Sequence, residues 1–181
     1  MERYRIFSDG AVYFVTLTVV DWLPVFISQG TCRIITDSLN FCHEHKGLRV
    51  NAYVIMPTHL HAILFRETFD PEALKATLTD FRKFTARKLI DHSVRFMPAC
   101  YDSVFLESAG VDRNRRFWQP TLHPEQIETE PFWIQKRDYL HDNPCRKGLV
   151  VRAEHWRFSS ASHWLSDGTV PNDVVLSTID W

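Results

Sequence analysis

The spacing of apolar residues along this chain changes period several times, and each change marks an element. From Ala11 to Val20, "AVYFVTLTVV" is rich in β-branched and aromatic residues that partly alternate, the pattern of a half-buried strand. From Thr31 to His45, Ile34, Ile35, Leu39 and Phe41 recur at near-helical spacing, and Lys46-Gly47 is a common helix ending. "LRVNAYVIM" (Leu48 to Met56) reads as a second strand, Pro57-Thr58 as a turn, and the segment from His59 as a third strand; two strands so close in sequence form an antiparallel hairpin. Helical spacing returns from Pro71 to about His92, with Asp70 as the cap, Pro71 in the first turn, and Leu74, Leu78, Phe81, Phe84 and Leu89 as the buried stripe. Phe96 to Asn114 shows no clear period. "RRFWQPTL" (Arg115 to Leu122) predicts a strand that Pro120 confines to a sheet edge. "EPFWIQKRDYLHD" (Glu130 to Asp142) predicts a helix that Pro144 stops.

The order β-α-β-β-α-β, followed by one more helix, is an α+β class: the ferredoxin-like split βαβ, an antiparallel sheet with helices on one face and an additional C-terminal helix. The segment with His59 and His61 is then a central strand. At 181 residues the chain reads as a single domain, with a core from about residue 10 to 164 and a tail over 165–181. With 45% hydrophobic and 24% charged residues it has the composition of a globular protein with a good core. It contains no apolar run of the roughly 20 residues that span a bilayer and no signal-peptide pattern at "MERYRIFSDG", so the expectation is a soluble, cytoplasmic protein without a membrane partner. Cys32, Cys42, Cys100 and Cys145 show no C-x-x-C pairing, which argues for free thiols and against a zinc ribbon or a secreted disulfide framework.

Candidate chemistry starts at "MPTHLHAILF" (Met56 to Phe65). Side chains alternate along a strand, so His59 and His61 share one face while Leu60, Ala62 and Leu64 share the other. Two converging neutral imidazoles are half of a divalent-metal site. On the last helix, Tyr139 and Asn143 are four apart and lie on the same side. Asn143 offers a carbonyl oxygen suited to Mg²⁺ or Mn²⁺, and Tyr139 a phenol that a nearby cation helps to act as a nucleophile. If that helix packs over the histidine strand, these parts describe phosphodiester transesterification through a covalent phosphotyrosine. The net charge of −1 supplies no overall attraction to a polyanion, so contact with DNA must come from local clusters: Arg82, Lys83, Arg87 and Lys88; Arg113, Arg115 and Arg116; Arg146 and Lys147. Trp118, Trp156 and Trp164 are candidates for stacking on unpaired bases.

With these residues in hand, the chain resembles the single-tyrosine HUH transposases, and most closely the REP-associated tyrosine transposase branch. The matching stretches are "NAYVIMPTHLHAIL" (Asn51 to Leu64), "FWQP" (Phe117 to Pro120), "DYLHDNPCRKGLV" (Asp138 to Val150) and "WRFSSASHW" (Trp156 to Trp164), within a resemblance running from about Gly10 to Trp164. It implies that His59 and His61 are the metal-binding pair, that Tyr139 becomes linked to a 5′ phosphate and leaves a free 3′ hydroxyl, and that Asn143 is the third metal ligand. It also implies a substrate of single-stranded DNA bearing a small palindromic hairpin, and a monomer or homodimer. Three readings stay open at this level: a metal-dependent nicking and strand-transfer enzyme, a domesticated hairpin-binding protein without cleavage activity, and a metal-dependent hydrolase of a small phosphoester.

Overall fold

The alternating segments pair into a four-stranded antiparallel sheet. We describe residue 6 and residues 11–111 and 114–179 of a computed structural model of the chain. The strands are β1 (Val12–Thr18), β2 (Leu48–Met56), β3 (His59–Arg66) and β4 (Glu125–Ile127), in the spatial order β2-β3-β1-β4. That is the strand order of the split βαβ arrangement, with β3 and β1 at the centre. The two long crossovers are α1 (Gln29–Lys46) and α2 (Pro71–Phe96), and they cover one face of the sheet. Beneath them lie Tyr13, Val15 and Leu17 from β1 and Leu60, Ala62 and Leu64 from β3, packed on Ile35, Leu39, Leu74, Leu78 and Phe81.

Local signals account for most boundaries. Ser28 caps α1 by accepting from the Thr31 backbone N–H at 3.3 Å, and Gly47 ends it in the left-handed conformation, φ 63°, which glycine adopts without steric cost. Asp70 caps α2 by accepting from the Ala73 N–H at 3.0 Å, with Pro71 in the first turn. Two of the predicted stripe positions face water instead: Phe41 on α1 and Phe84 on α2 are exposed, while the rest of the α2 stripe is buried.

Three segments differ from the sequence expectation. Residues 96–114 contain a helix, α3 (Ala99–Glu107), that starts directly after Pro98 and buries only Phe105. The strand expected over Arg115 to Leu122 is reduced to one antiparallel bridge, Val19 to Trp118, and the paired strand β4 lies further on. Pro120 and Pro124 fall between the two and have no N–H to give, so the edge is interrupted there. The last helix, α4 (Glu130–Arg146), also runs two residues beyond Pro144. A proline in a final turn removes only the bond to the Leu140 carbonyl, and the Lys147 N–H still closes on Asn143 O at 3.1 Å.

The opposite face of the sheet is covered by α4, the short α5 (Ala161–Leu165) and the tail. Val12, Phe14, Ala52, Val54, Ile63 and Phe65 pack there against Trp133 and Leu140. A bulge at Asn51 in β2 turns that side chain toward α4, where its Oδ1 accepts from Trp133 Nε1 at 2.7 Å. The expected tail and the segment before it close the outer edge of β2: Ser177 N–H donates to Val50 O at 2.8 Å, and Ser160 N–H to Tyr53 O at 2.9 Å. All four cysteines are free, as expected, and burial pushes the Cys32 thiol up to about 12. Among the described residues no helix is long and apolar enough to cross a membrane.

Candidate active site

Register along the sheet brings the site together. Thr18 pairs with His59 and Thr16 with His61 across β1 and β3, so two hydroxyls and two imidazoles share the face under α4. The imidazole rings meet edge to face with centroids 4.5 Å apart. Thr16 Oγ1 lies 2.8 Å from His61 Nδ1, and Thr58 Oγ1 lies 2.9 Å from His59 Nδ1. With each hydroxyl accepting from Nδ1–H, both rings present the Nε2 lone pair outward, the arrangement in which a histidine ligates a metal while its other nitrogen fixes the tautomer. Burial, with the Lys147 charge as the lesser cause, lowers the His59 pKa to about 4; burial, then His59 and Lys136, lowers that of His61 to about 3. Both rings are therefore neutral at pH 7 and able to donate.

Two polar anchors hold α4 above this floor. Trp133 is fixed to Asn51 in its first turn, and further along, the buried His141 Nε2 meets Ser160 Oγ at 2.8 Å while Ser160 Oγ accepts from Tyr53 N–H at 2.9 Å. Lys136, Tyr139, Asn143 and Lys147 follow at spacings of three, four and four, one stripe of a helix. The Tyr139 ring stands edge to face on His61 at 5.7 Å and on Phe14 at 6.1 Å, and it is 39% exposed, so it touches His61 of its own chain and still reaches solvent. The Arg146 guanidinium lies over the same ring at 5.0 Å. A cation in that position would favour a negative charge on the phenolic oxygen.

Asn143 lies one turn beyond Tyr139, toward the end of α4 whose Lys147 acts on His59. It is buried, and its Nδ2 has no hydrogen-bond partner. An unpaired buried amide N–H costs about 1–3 kcal/mol, and a metal held by Oδ1 would not relieve it, because Nδ2 is a donor. Among the described residues no three His, Cys, Asp or Glu side chains are grouped to hold a metal. Two neutral imidazoles with an amide oxygen nevertheless form a donor set that accepts a hard or borderline divalent ion.

The nine basic residues singled out in the sequence divide sharply. Arg146 and Lys147 are exposed and stand at the site. Lys83, Arg87 and Lys88 are exposed on α2, which covers the other face of the sheet. Arg82 donates to Gln119 O at 2.6 Å and holds the interrupted edge. Arg115 makes a bidentate pair with Asp102 of α3, at 2.5 and 2.9 Å, and Arg116 is half-buried beside it. Arg113 lies outside the described residues. Trp118 is buried, while Trp156 and Trp164 are half-buried; their indole N–H groups donate to Thr85 Oγ1, Ile55 O and Asn51 O at 3.1, 2.9 and 2.9 Å.

The site also contains residues the sequence did not mark. Lys136 pairs with Glu125 of β4 at 2.7 Å and its charge bears on His61; its place three residues before Tyr139 was the available signal. Thr58 precedes His59 directly, but Thr16 joins only through strand register. If Thr16 fixes the His61 tautomer, Thr16→Val is expected to weaken Mn²⁺ binding about 10- to 100-fold with little change in melting temperature. Titration calorimetry of the two proteins would show it, and equal affinities would remove Thr16 from the site.

Over nearly its whole length the chain is similar to known proteins, although no family model matches it. It is 19% identical over 180 residues to the "REP-associated tyrosine transposase" of Escherichia coli, covering 99% of this chain and 94% of that protein. It is 22% identical over 175 residues to a protein of Haemophilus influenzae named "Putative REP-associated tyrosine transposase", covering 96% and 93%. Its fold is that of a solved REP-associated tyrosine transposase bound to a REP hairpin, with a TM-score of 0.68, 19% identity, and coverage of 100% of this chain and 95% of that one.

Proposed function

We propose that this chain, similar end to end to REP-associated tyrosine transposases, is itself a DNA strand transferase that nicks and rejoins single-stranded, hairpin-bearing DNA through Tyr139. The observation that carries the reading is the edge-to-face contact of Tyr139 with His61 inside one chain, 5.7 Å between centroids, on a phenol that stays open to solvent. In the step we assign to it, the Tyr139 Oη forms a bond to phosphorus as the bond from phosphorus to the 3′ oxygen breaks. The phenolic proton leaves Oη, and the departing oxygen ends as a 3′ hydroxyl. Attack by a DNA hydroxyl on the 5′-phosphotyrosine reverses the exchange and reseals a strand without water or ATP.

His59, His61 and Asn143 would hold Mg²⁺ or Mn²⁺. When bound, such an ion polarises a phosphoryl oxygen and offsets the charge gathering around phosphorus. The chain's own groups do the remainder. Thr16 and Thr58 orient the imidazoles, Arg146 favours the charge on Oη, and Lys147 and Lys136 surround the site with positive charge that attracts a phosphate.

The test is direct. The protein is mixed with labelled single-stranded hairpin DNA and Mg²⁺ or Mn²⁺ and resolved under denaturing conditions. The expected product is a covalent adduct on the 5′ phosphate that peptide mapping places at Tyr139. Cleavage without an adduct would make the protein a hydrolase, and salt-sensitive binding without cleavage would make it a hairpin-binding protein; either result overturns the proposal.

A further inference from the structure

One exposed wall of the site takes no part in the chemistry just described. The chain leaves β1 through a tight turn at Val20–Trp22, in which Asp21 (φ 50°, ψ 23°) and Trp22 (φ 54°) both adopt left-handed backbone. Neither is glycine, and a bulky side chain in that region is disfavoured by contact with its own backbone. The surroundings impose it: Val19 N–H donates to Thr58 O at 3.0 Å, Val20 N–H to Phe117 O at 2.9 Å, and Trp22 N–H closes on Val19 O at 3.1 Å. The outcome is an indole whose ring stands edge to face on His59, 5.7 Å between centroids and 79° between planes, with 57% exposure. The indoles of Trp118, Trp133, Trp156 and Trp164 are instead turned inward onto protein acceptors. A large apolar ring kept in water on strained backbone is costly twice over in the free protein, and it stands against one of the two imidazoles.

We propose that Trp22 is a stacking platform for an unpaired nucleobase of the strand that passes His59, next to the phosphodiester that Tyr139 attacks. The inference rests on the reading of the site given under Proposed function. Bases inside a duplex are stacked on one another and offer no free face, whereas an unpaired base does. Every base has a π-face, so Trp22 selects single-stranded over paired DNA at this point and does not read base identity. The rigid turn makes the ring ready before DNA arrives, so little ordering cost falls on binding.

The experiment compares two DNAs without metal, in EDTA: a hairpin with a short single-stranded flank, and the same hairpin with the flank fully paired. Two variants are used. Trp22→Asn removes the ring and suits left-handed backbone, and Trp22→Phe keeps a smaller ring. Trp22→Asn is expected to weaken binding of the flanked hairpin about 5- to 100-fold, with the paired DNA unchanged within about two-fold. Trp22→Phe is expected to retain most of the affinity, and the melting temperature of Trp22→Asn is expected to be no lower than that of the parent. Binding of the flanked hairpin should also quench tryptophan fluorescence in the parent and much less in Trp22→Phe. Equal weakening on both DNAs together with a lowered melting temperature would show that Trp22 only shields His59, and unchanged affinity would show that it contributes nothing; both overturn the inference. If the parent protein forms the Tyr139 adduct while the variants bind as it does, this inference alone fails. If the parent forms no adduct and does not prefer the flanked hairpin, the reading beneath it fails as well.

Discussion

Tyr139→Phe is expected to bind hairpin DNA as the parent does and to form no covalent adduct, a loss of at least roughly four decades in the rate of strand cleavage. The substitution removes one oxygen and leaves the ring. The contacts of that ring with His61, Phe14 and Arg146 survive, so folding and DNA affinity have no reason to change. No other tyrosine of the described chain can stand in. Tyr13 and Tyr53 are fully buried, with the Tyr53 hydroxyl donating to Asn172 Oδ1 at 2.9 Å, and Tyr101 belongs to α3, packed against the helical layer. Tyr4 lies outside the described residues. A gel assay on end-labelled DNA reads both quantities at once. An adduct that persists in the phenylalanine protein would move the nucleophile elsewhere and dismantle the site.

Acid is expected to destabilise this protein progressively below pH 6.5. Burial is the main cause holding His59 and His141 at about 4 and His61 at about 3, all below the usual histidine value of 6.5. Each ring is neutral in the fold but takes a proton in the unfolded chain once the pH drops below 6.5. Its contribution is therefore fully present above that pH, declines as the pH falls, and is exhausted at the folded value. The loss is about 1.4 kcal/mol per ring per pH unit, or on the order of 2–3 kcal/mol per ring at pH 4.5. Three rings together approach the whole stability of a typical domain, about 5–15 kcal/mol. Urea unfolding at steps between pH 7 and pH 4.5 should show a steep fall that is shallower in a His61→Asn protein. A midpoint that stays flat down to pH 5 would mean that these rings are not buried in neutral form.

Where the fold was legible in the sequence, the signals were local and mutually consistent. Asp70-Pro71 and Lys46-Gly47 mark helix ends through hydrogen bonds made within a few residues, and the alternation around His59 assigns Leu60, Ala62 and Leu64 to the helical side of the sheet. The helix carrying Tyr139 and Asn143 was equally readable, except that Pro144 does not end it. What stayed hidden depends on contacts far apart in sequence. A run of arginines does not say which face of the sheet it will occupy, so Lys83, Arg87 and Lys88 looked no different from Arg146 and Lys147. Trp118 is buried and Trp164 half-buried, with Thr85 and Asn51 as the acceptors of their indole N–H groups, which no nearby residue announces. The left-handed turn at Asp21-Trp22 is imposed by β1 and the β2–β3 connection, and neither residue type predicts it.

The two clamps on α4, Trp133 to Asn51 and His141 through Ser160 to Tyr53, have a consequence for how strands change places. They bolt the backbone that carries Tyr139 to the edge strand β2 on either side of it, leaving the phenol only its own torsions to swing through. In the strand transfer we propose, the protein would therefore act as an anvil rather than a shuttle, and the travelling from one strand to the next would fall to the nucleic acid.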